Sequence, residues 1–159
     1  MNKEELISLL KDYKENKARL NIQLKELKLK RIQLKSYEDI DTSLTTAYGI
    51  NQDIHSKNQI SDKVLRKIEQ NDTKKRQLQE EINELEKSVR KLREKVEIVE
   101  DRLEALKYKE REILTAYYVE GRTAEDIGNK LYFQLFSQTR SDRHIQRIIE
   151  KATEKMTNL

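Results

Sequence analysis

Apolar residues recur along the first part of the chain at alternating intervals of four and three: Leu6, Leu10, Tyr13, Leu20, Leu24, Leu27 and Leu34. Lys17 and Arg31 occupy two places where that series expects an apolar side chain. Such a series is a heptad seam, the mark of a helix that buries a narrow stripe against another helix. It predicts one helix over residues 3–36 with two charged interruptions. A second seam is stricter: Leu78, Ile82, Leu85, Val89, Leu92, Val96, Val99, Leu103 and Leu106, reached from Val64, Ile68, Asn71 and Lys75. It predicts a helix over 61–107, opened by Ser61 as N-cap with Asp62 beside it. β-Branched residues at Ile82, Val89 and Val96 with leucines at Leu85, Leu92 and Leu106 favour two parallel strands, while an antiparallel hairpin with the first helix stays open. Neither helix can leave its stripe in water, so the two fold on each other, dimerise, or do both.

Residues 37–60 break the pattern. Ser36-Tyr37-Glu38-Asp39-Ile40-Asp41-Thr42-Ser43 is rich in side chains that compete with helical hydrogen bonds, and Gly49 and Asn51 add turn character. This stretch reads as a linker, with room for a short ordered piece around Leu44, Tyr48 and Ile50.

From Tyr108 the periodicity shortens. Ile113, Leu114, Tyr117 and Tyr118 form an apolar face at helical spacing, and Gly121 stands where a helix C-terminus needs positive φ. Thr123 then reads as an N-cap with Asp126 in the capping-box place, opening a short helix of Ala124, Ile127, Gly128 and Leu131 whose small residues admit a crossing helix. The aromatic stretch from Tyr132 to Arg140 follows, its rings Tyr132, Phe133 and Phe136 expected to pin the turn to the core. Ser141 caps a last helix with Ile145, Ile148, Ile149, Ala152 and Met156 on one side and Arg143 and Arg147 on the other. A recognition helix needs this division: an apolar face holding it to a scaffold, and cationic or amide side chains on its first turns to reach the major groove. The expected DNA-contacting set is Arg140, Ser141, Arg143, His144, Gln146, Arg147 and Lys151.

Composition sharpens the picture. Only 35% of the 159 residues are hydrophobic and 39% are charged, against roughly 45–50% and about 25% in ordinary globular chains. Proline is absent and there are three glycines, which favours long helices. The formal net charge of +4 is weak for a nucleic-acid binder and unevenly spread: residues 1–36 carry 10 Lys/Arg against 5 Asp/Glu, and residues 37–59 carry 1 against 4. A DNA-binding reading therefore rests on where the charges sit. No cysteine, secretory signal or apolar run of membrane-spanning length occurs, and a cytoplasmic location is the expectation. His55 and His144 lie in different segments, and there is no phosphate-binding glycine loop or nucleophile elbow, so no enzyme, metal or cofactor is expected.

Glu112-Ile113-Leu114, Tyr117-Tyr118, Glu120-Gly121, Thr123, Glu125-Asp126-Ile127, Leu131, then Ser141, Ile145, Ile148 and Ala152 resemble region 4 of bacterial sigma factors. The layout, a coiled coil ahead of such a segment, is similar to phage and prophage transcriptional regulators of Gram-positive bacteria, the late-gene activators and the ArpU-like group. The motif resemblance covers about 50 of the 159 residues. It implies a sequence-specific DNA-binding regulator acting near RNA polymerase. Two departures stand out. Gly128 replaces the usual alanine, read as a minor change. The turn is longer than the three or four residues of a standard helix-turn-helix, so either the second helix continues through Phe136 or an extra turn is inserted.

The expectation is thus an all-α chain: a coiled-coil and oligomerisation region over 1–107 (helix 3–36, linker 37–60, helix 61–107) followed by a three-helix helix-turn-helix over 108–159. Its expected partners are double-stranded DNA, further copies of itself and RNA polymerase, with no membrane. The competing readings are a polymerase-binding adaptor, sigma-like or anti-sigma-like, and a phage DNA-packaging subunit.

Overall fold

The computed structural model describes residues 1–49 and 62–159. Every regular element among the described residues is helical. Helix α1 spans Lys3–Gly49 and α2 spans Asp62–Glu104. Helix α3, Tyr108–Leu114, runs directly into a π-helical turn, Thr115–Val119. Helix α4 (Ala124–Asp126), a π-helical turn (Ile127–Leu131) and α5 (Tyr132–Phe136) abut without a break, and α6 spans Asp142–Thr157. Among the described residues no helix is long and apolar enough to cross a membrane.

The N-terminus of α1 is closed by a reciprocal pair: the Glu5 N–H donates to Asn2 Oδ1 at 2.8 Å and the Asn2 N–H to Glu5 Oε2 at 3.2 Å. This is a capping box, which satisfies two donors the helix itself cannot use. The other end differs from expectation. Helix α1 does not stop at residue 36; it continues to Gly49 through the first part of the expected linker. The physical reason is visible at Ser36, whose hydroxyl donates to the Gln33 carbonyl at 2.7 Å inside the helix. Bonded backward in this way, such residues cost little, and extending a formed helix is far easier than nucleating one. The rest of the expected linker, Ile50 and the Ser61 cap lie outside the described residues.

The chain divides into two compact units. In the unit of residues 21–90, Leu27, Leu78 and Ile82 are buried together, with Leu34, Tyr37 and Leu85 packed around them. Its polar ties are Ser88 to Gln23 at 3.0 Å, Lys30 to Glu81 at 2.6 Å and Arg31 to Glu86 at 2.7 Å. Gln23 on α1 meets Ser88 while the later Lys30 and Arg31 meet the earlier Glu81 and Glu86 on α2, so the segments run antiparallel within one chain. The stripe favoured for parallel two-stranded packing is thus met from inside the molecule.

The other unit joins residues 1–20 to residues 91–159. In it α1 is tied to α2 by Lys17 to Glu100 at 2.6 Å. One core holds Leu6, Leu10, Val99 and Leu103 from the long helices and Leu106 from the bend after α2. It also holds Ile113, Leu114, Ile127, Tyr132, Ile145, Ile149 and Met156 from the C-terminal elements. The expected boundary between 107 and 108 is therefore a bend in the chain, made where α2 ends at Glu104 and Lys107 begins the next helix, and not a boundary of packing.

Candidate nucleic-acid interface

Gly121 takes φ +70°, as a helix C-terminus requires, and the Arg122 N–H reaches back to the Ala116 carbonyl at 3.0 Å. The Thr123 hydroxyl accepts from the Asp126 N–H at 3.2 Å. The Asp126 carboxylate turns to Lys130 at 2.7 Å, which holds it below its ordinary pKa. From this cap the helical path continues to Phe136, so the long aromatic turn is mostly helix. What remains between α5 and α6 is Ser137–Ser141, opened by Ser137 in the left-handed conformation at φ 54°. Its N–H donates to the Phe133 carbonyl at 2.8 Å. Of the three rings, Tyr132 is buried and Phe136 packs on the core, but Phe133 is 55% exposed and pins nothing.

The crossing of the connection over the preceding helix is close. In the π-helical turn the Tyr132 N–H reaches back five residues to the Ile127 carbonyl, and the Gly128 carbonyl accepts the Arg140 N–H at 3.1 Å. A Cβ on Gly128 would lie 2.2 Å from the Arg140 carbonyl oxygen and 3.3 Å from Ile145 Cγ1. The glycine is therefore a condition of this crossing, and the reading of it as a minor substitute for alanine is corrected.

Ser141, extended at φ −65° and ψ 152°, accepts the His144 N–H on its hydroxyl at 3.4 Å and starts α6. Asp142 Oδ1 accepts the Arg143 N–H at 2.6 Å. Ile145, Ile149, Ala152 and Met156 bury one face of α6 and Ile148 flanks it, so the helix is seated on α3, α4 and the π-helical turn beyond it. The far end is tied down by Lys155 to Glu110 and by the Arg102 guanidinium donating to the Met156 carbonyl. A cation there satisfies an end carbonyl and complements the helix dipole.

The opposite face carries the expected residues. Arg140, Ser141, Arg143, Gln146, Arg147 and Lys151 are exposed and His144 is half-buried. Arg143, Arg147 and Lys151 form no ion pair with a carboxylate among the described residues. Arg140 Nη2 donates to Gln138 Oε1 at 2.9 Å, and its guanidinium carbon lies 5.8 Å from the Tyr132 ring centre.

The sequence reading missed Lys109. Its ammonium donates to the Tyr132 hydroxyl and sits 4.5 Å from that ring's centre. Burial alone would raise the Tyr132 phenol; the Lys109 ammonium bonded to its oxygen and the positive charge of nearby Arg140 outweigh that and hold it below its ordinary value. His144 is held below its ordinary value by burial first, then by the fields of Arg140, Lys109 and Arg147. Lys109 and Tyr132 are 23 positions apart, and no local pattern links them. Only the crossing of α3 with the later helices brings them together.

Comparison with family models, with curated proteins and with solved structures finds no match.

Proposed function

We propose that the chain is a sequence-specific DNA-binding transcriptional regulator in which the helical path from Ala124 to Phe136 and α6 act as a helix-turn-helix. The observation that carries this reading is the division of α6: isoleucines inward, and Arg143, Arg147 and Lys151 outward, exposed and unpaired among the described residues. Uncompensated guanidinium groups on the first two turns of a firmly seated helix suit bidentate bonding to guanine edges and bonding to phosphates. The short Ser137–Ser141 connection also suits the motif. The likeness to sigma region 4 and to phage and prophage regulators supplies the context: cytoplasmic action near RNA polymerase, on paired half-sites.

Self-association belongs to the same proposal. The heptad stripes are used within the chain, which leaves Ile22, Leu29 and Ile32 of α1, each more than half exposed, as apolar surface for a second copy. The same stripe serves the rival adaptor reading, and capture of purified RNA polymerase in the absence of DNA would favour that rival.

Duplexes recovered from a random DNA pool supply the ligand for the test. Arg143→Ala and Arg147→Ala should each weaken binding in a mobility-shift titration by about tenfold or more, since a bidentate base contact contributes roughly 1–3 kcal/mol. Stability should stay within about 0.5 kcal/mol, as for surface substitutions generally. Wild-type affinity in both variants would defeat the proposal.

A further inference from the structure

Beside the outward face of α6, the fold gathers positive charge around one buried phenol. Lys109 bonds to the Tyr132 oxygen, the Arg140 guanidinium carbon lies 5.8 Å from the same ring's centre, and His144 sits in the field of those two cations and of Arg147. A phenol is neutral and offsets little of this charge. The acids of α3 are engaged elsewhere, Glu110 with Lys155 and Glu112 near Arg111 at 3.8 Å. Asp142, the acid nearest in sequence, accepts the Arg143 N–H. Like charges held together without a counter-charge repel one another, and an arriving anion relieves that repulsion. The first-turn N–H groups of Arg143 and His144 are already bonded to Asp142 and Ser141, so side chains are what remain to hold it.

We infer that Lys109, Arg140 and His144, gathered beside Tyr132, form a seat for one phosphate group at the edge of α6. The group is tetrahedral and anionic with several acceptor oxygens, a match for an ammonium, a guanidinium and an imidazole converging from different elements. Two sources share this chemistry: a phosphodiester of the DNA backbone and free inorganic phosphate. The DNA source rests on the regulatory reading above. There the seat fixes the register of α6 on the duplex, as backbone contacts do, and leaves Arg143 and Arg147 to the bases.

The test has two arms on the full-length chain. In the first, affinity for the recovered duplex is measured against salt concentration for wild type, Lys109→Gln, Arg140→Gln and, as a control on α1, Lys28→Gln. Each phosphate neutralised contributes about 0.9 to the slope of log affinity against log salt, so the two seat variants should lose about one unit and the control none. In the second, the His144 ring resonances are followed by NMR as inorganic phosphate is added, and should move in wild type and stay still in Lys109→Gln. Thermal melts confirm that the variants fold. Duplex binding with unchanged slopes in both seat variants, or an equal loss in Lys28→Gln, overturns the seat and leaves the regulator standing. No duplex binding, with a phosphate response that Lys109→Gln abolishes, keeps the seat and removes the regulator. Silence in both arms removes both.

Discussion

Gly121 has open space where a Cβ would project, whereas Gly128 faces a backbone carbonyl at 2.2 Å. The first glycine is needed for its conformation alone. Asparagine tolerates the left-handed region better than other side chains, so Gly121→Asn should cost no more than about 1 kcal/mol. At Gly128 the obstacle is main chain, which cannot rotate aside, and the Ser137–Ser141 connection would have to move. Overpacking of this kind costs typically about 1–3 kcal/mol. Gly128→Ala should fall at the upper end and weaken DNA binding as well, because Arg140 moves with the connection. Urea midpoints for the two variants check this, and a Gly128→Ala midpoint equal to that of Gly121→Asn would show the crossing to be looser than described. That Gly121 requires positive φ and that Thr123 and Ser141 cap helices was legible in the sequence, since such chemistry is local. The need for glycine at 128 was not, because a crossing distance is a property of two segments. Lys109 escaped for the same reason: its partner Tyr132 is reached only through space.

Along the helices, both stripes were legible: Leu6, Leu10, Leu20, Leu27, Leu78, Ile82, Val89, Val96, Val99 and Leu103 are buried as their spacing predicts. Strand direction was not, because residue type at a and d positions is a weak preference that a particular partner overrides. The end of α1 was misplaced because single-residue propensities of a few tenths of a kcal/mol do not stop a growing helix. The two charged interruptions of the first stripe are used, with Lys17 and Arg31 reaching across to Glu100 and Glu86. Hydrogen bonds from Lys17 and then Tyr13 hold the Glu100 carboxyl below its ordinary value of 4.5. A carboxyl depressed in the folded state binds its proton more readily when unfolded, so its contribution is present above about pH 4.5 and is lost as pH falls through the folded value. Glu100 is 39% exposed, and screening keeps such a pair below about 1 kcal/mol. Glu100→Gln should therefore lower the urea midpoint slightly at pH 7, with the gap to wild type narrowing as the pH falls below about 4.5. A gap that stays constant with pH would mean that packing, not charge, is what the variant removes.

At the scale of the whole chain, both termini share one core. Leu6 and Leu10 are fully buried among residues of α2, α3 and α6, and Val99, Leu103 and Leu106 complete the same cluster. The C-terminal residues from 108 onward thus lack a large part of their apolar lining when cut free, and a segment of 52 residues has little core to spare. A fragment of residues 108–159 should show no cooperative thermal transition by circular dichroism and, under the proposed function, should not bind a duplex selected with the full chain. Residues 1–20 joined by a flexible linker to 91–159 should melt cooperatively and retain binding, since that set forms one compact unit. In the full chain, Leu10→Ala should destabilise by about 2–5 kcal/mol, the usual range for emptying a buried leucine site. It should also weaken DNA binding near the midpoint of unfolding, although Leu10 lies on the first helix. A cooperative melt for 108–159 alone would restore a domain boundary at residue 107 and make the N-terminal leucines dispensable to the fold of the C-terminal helices.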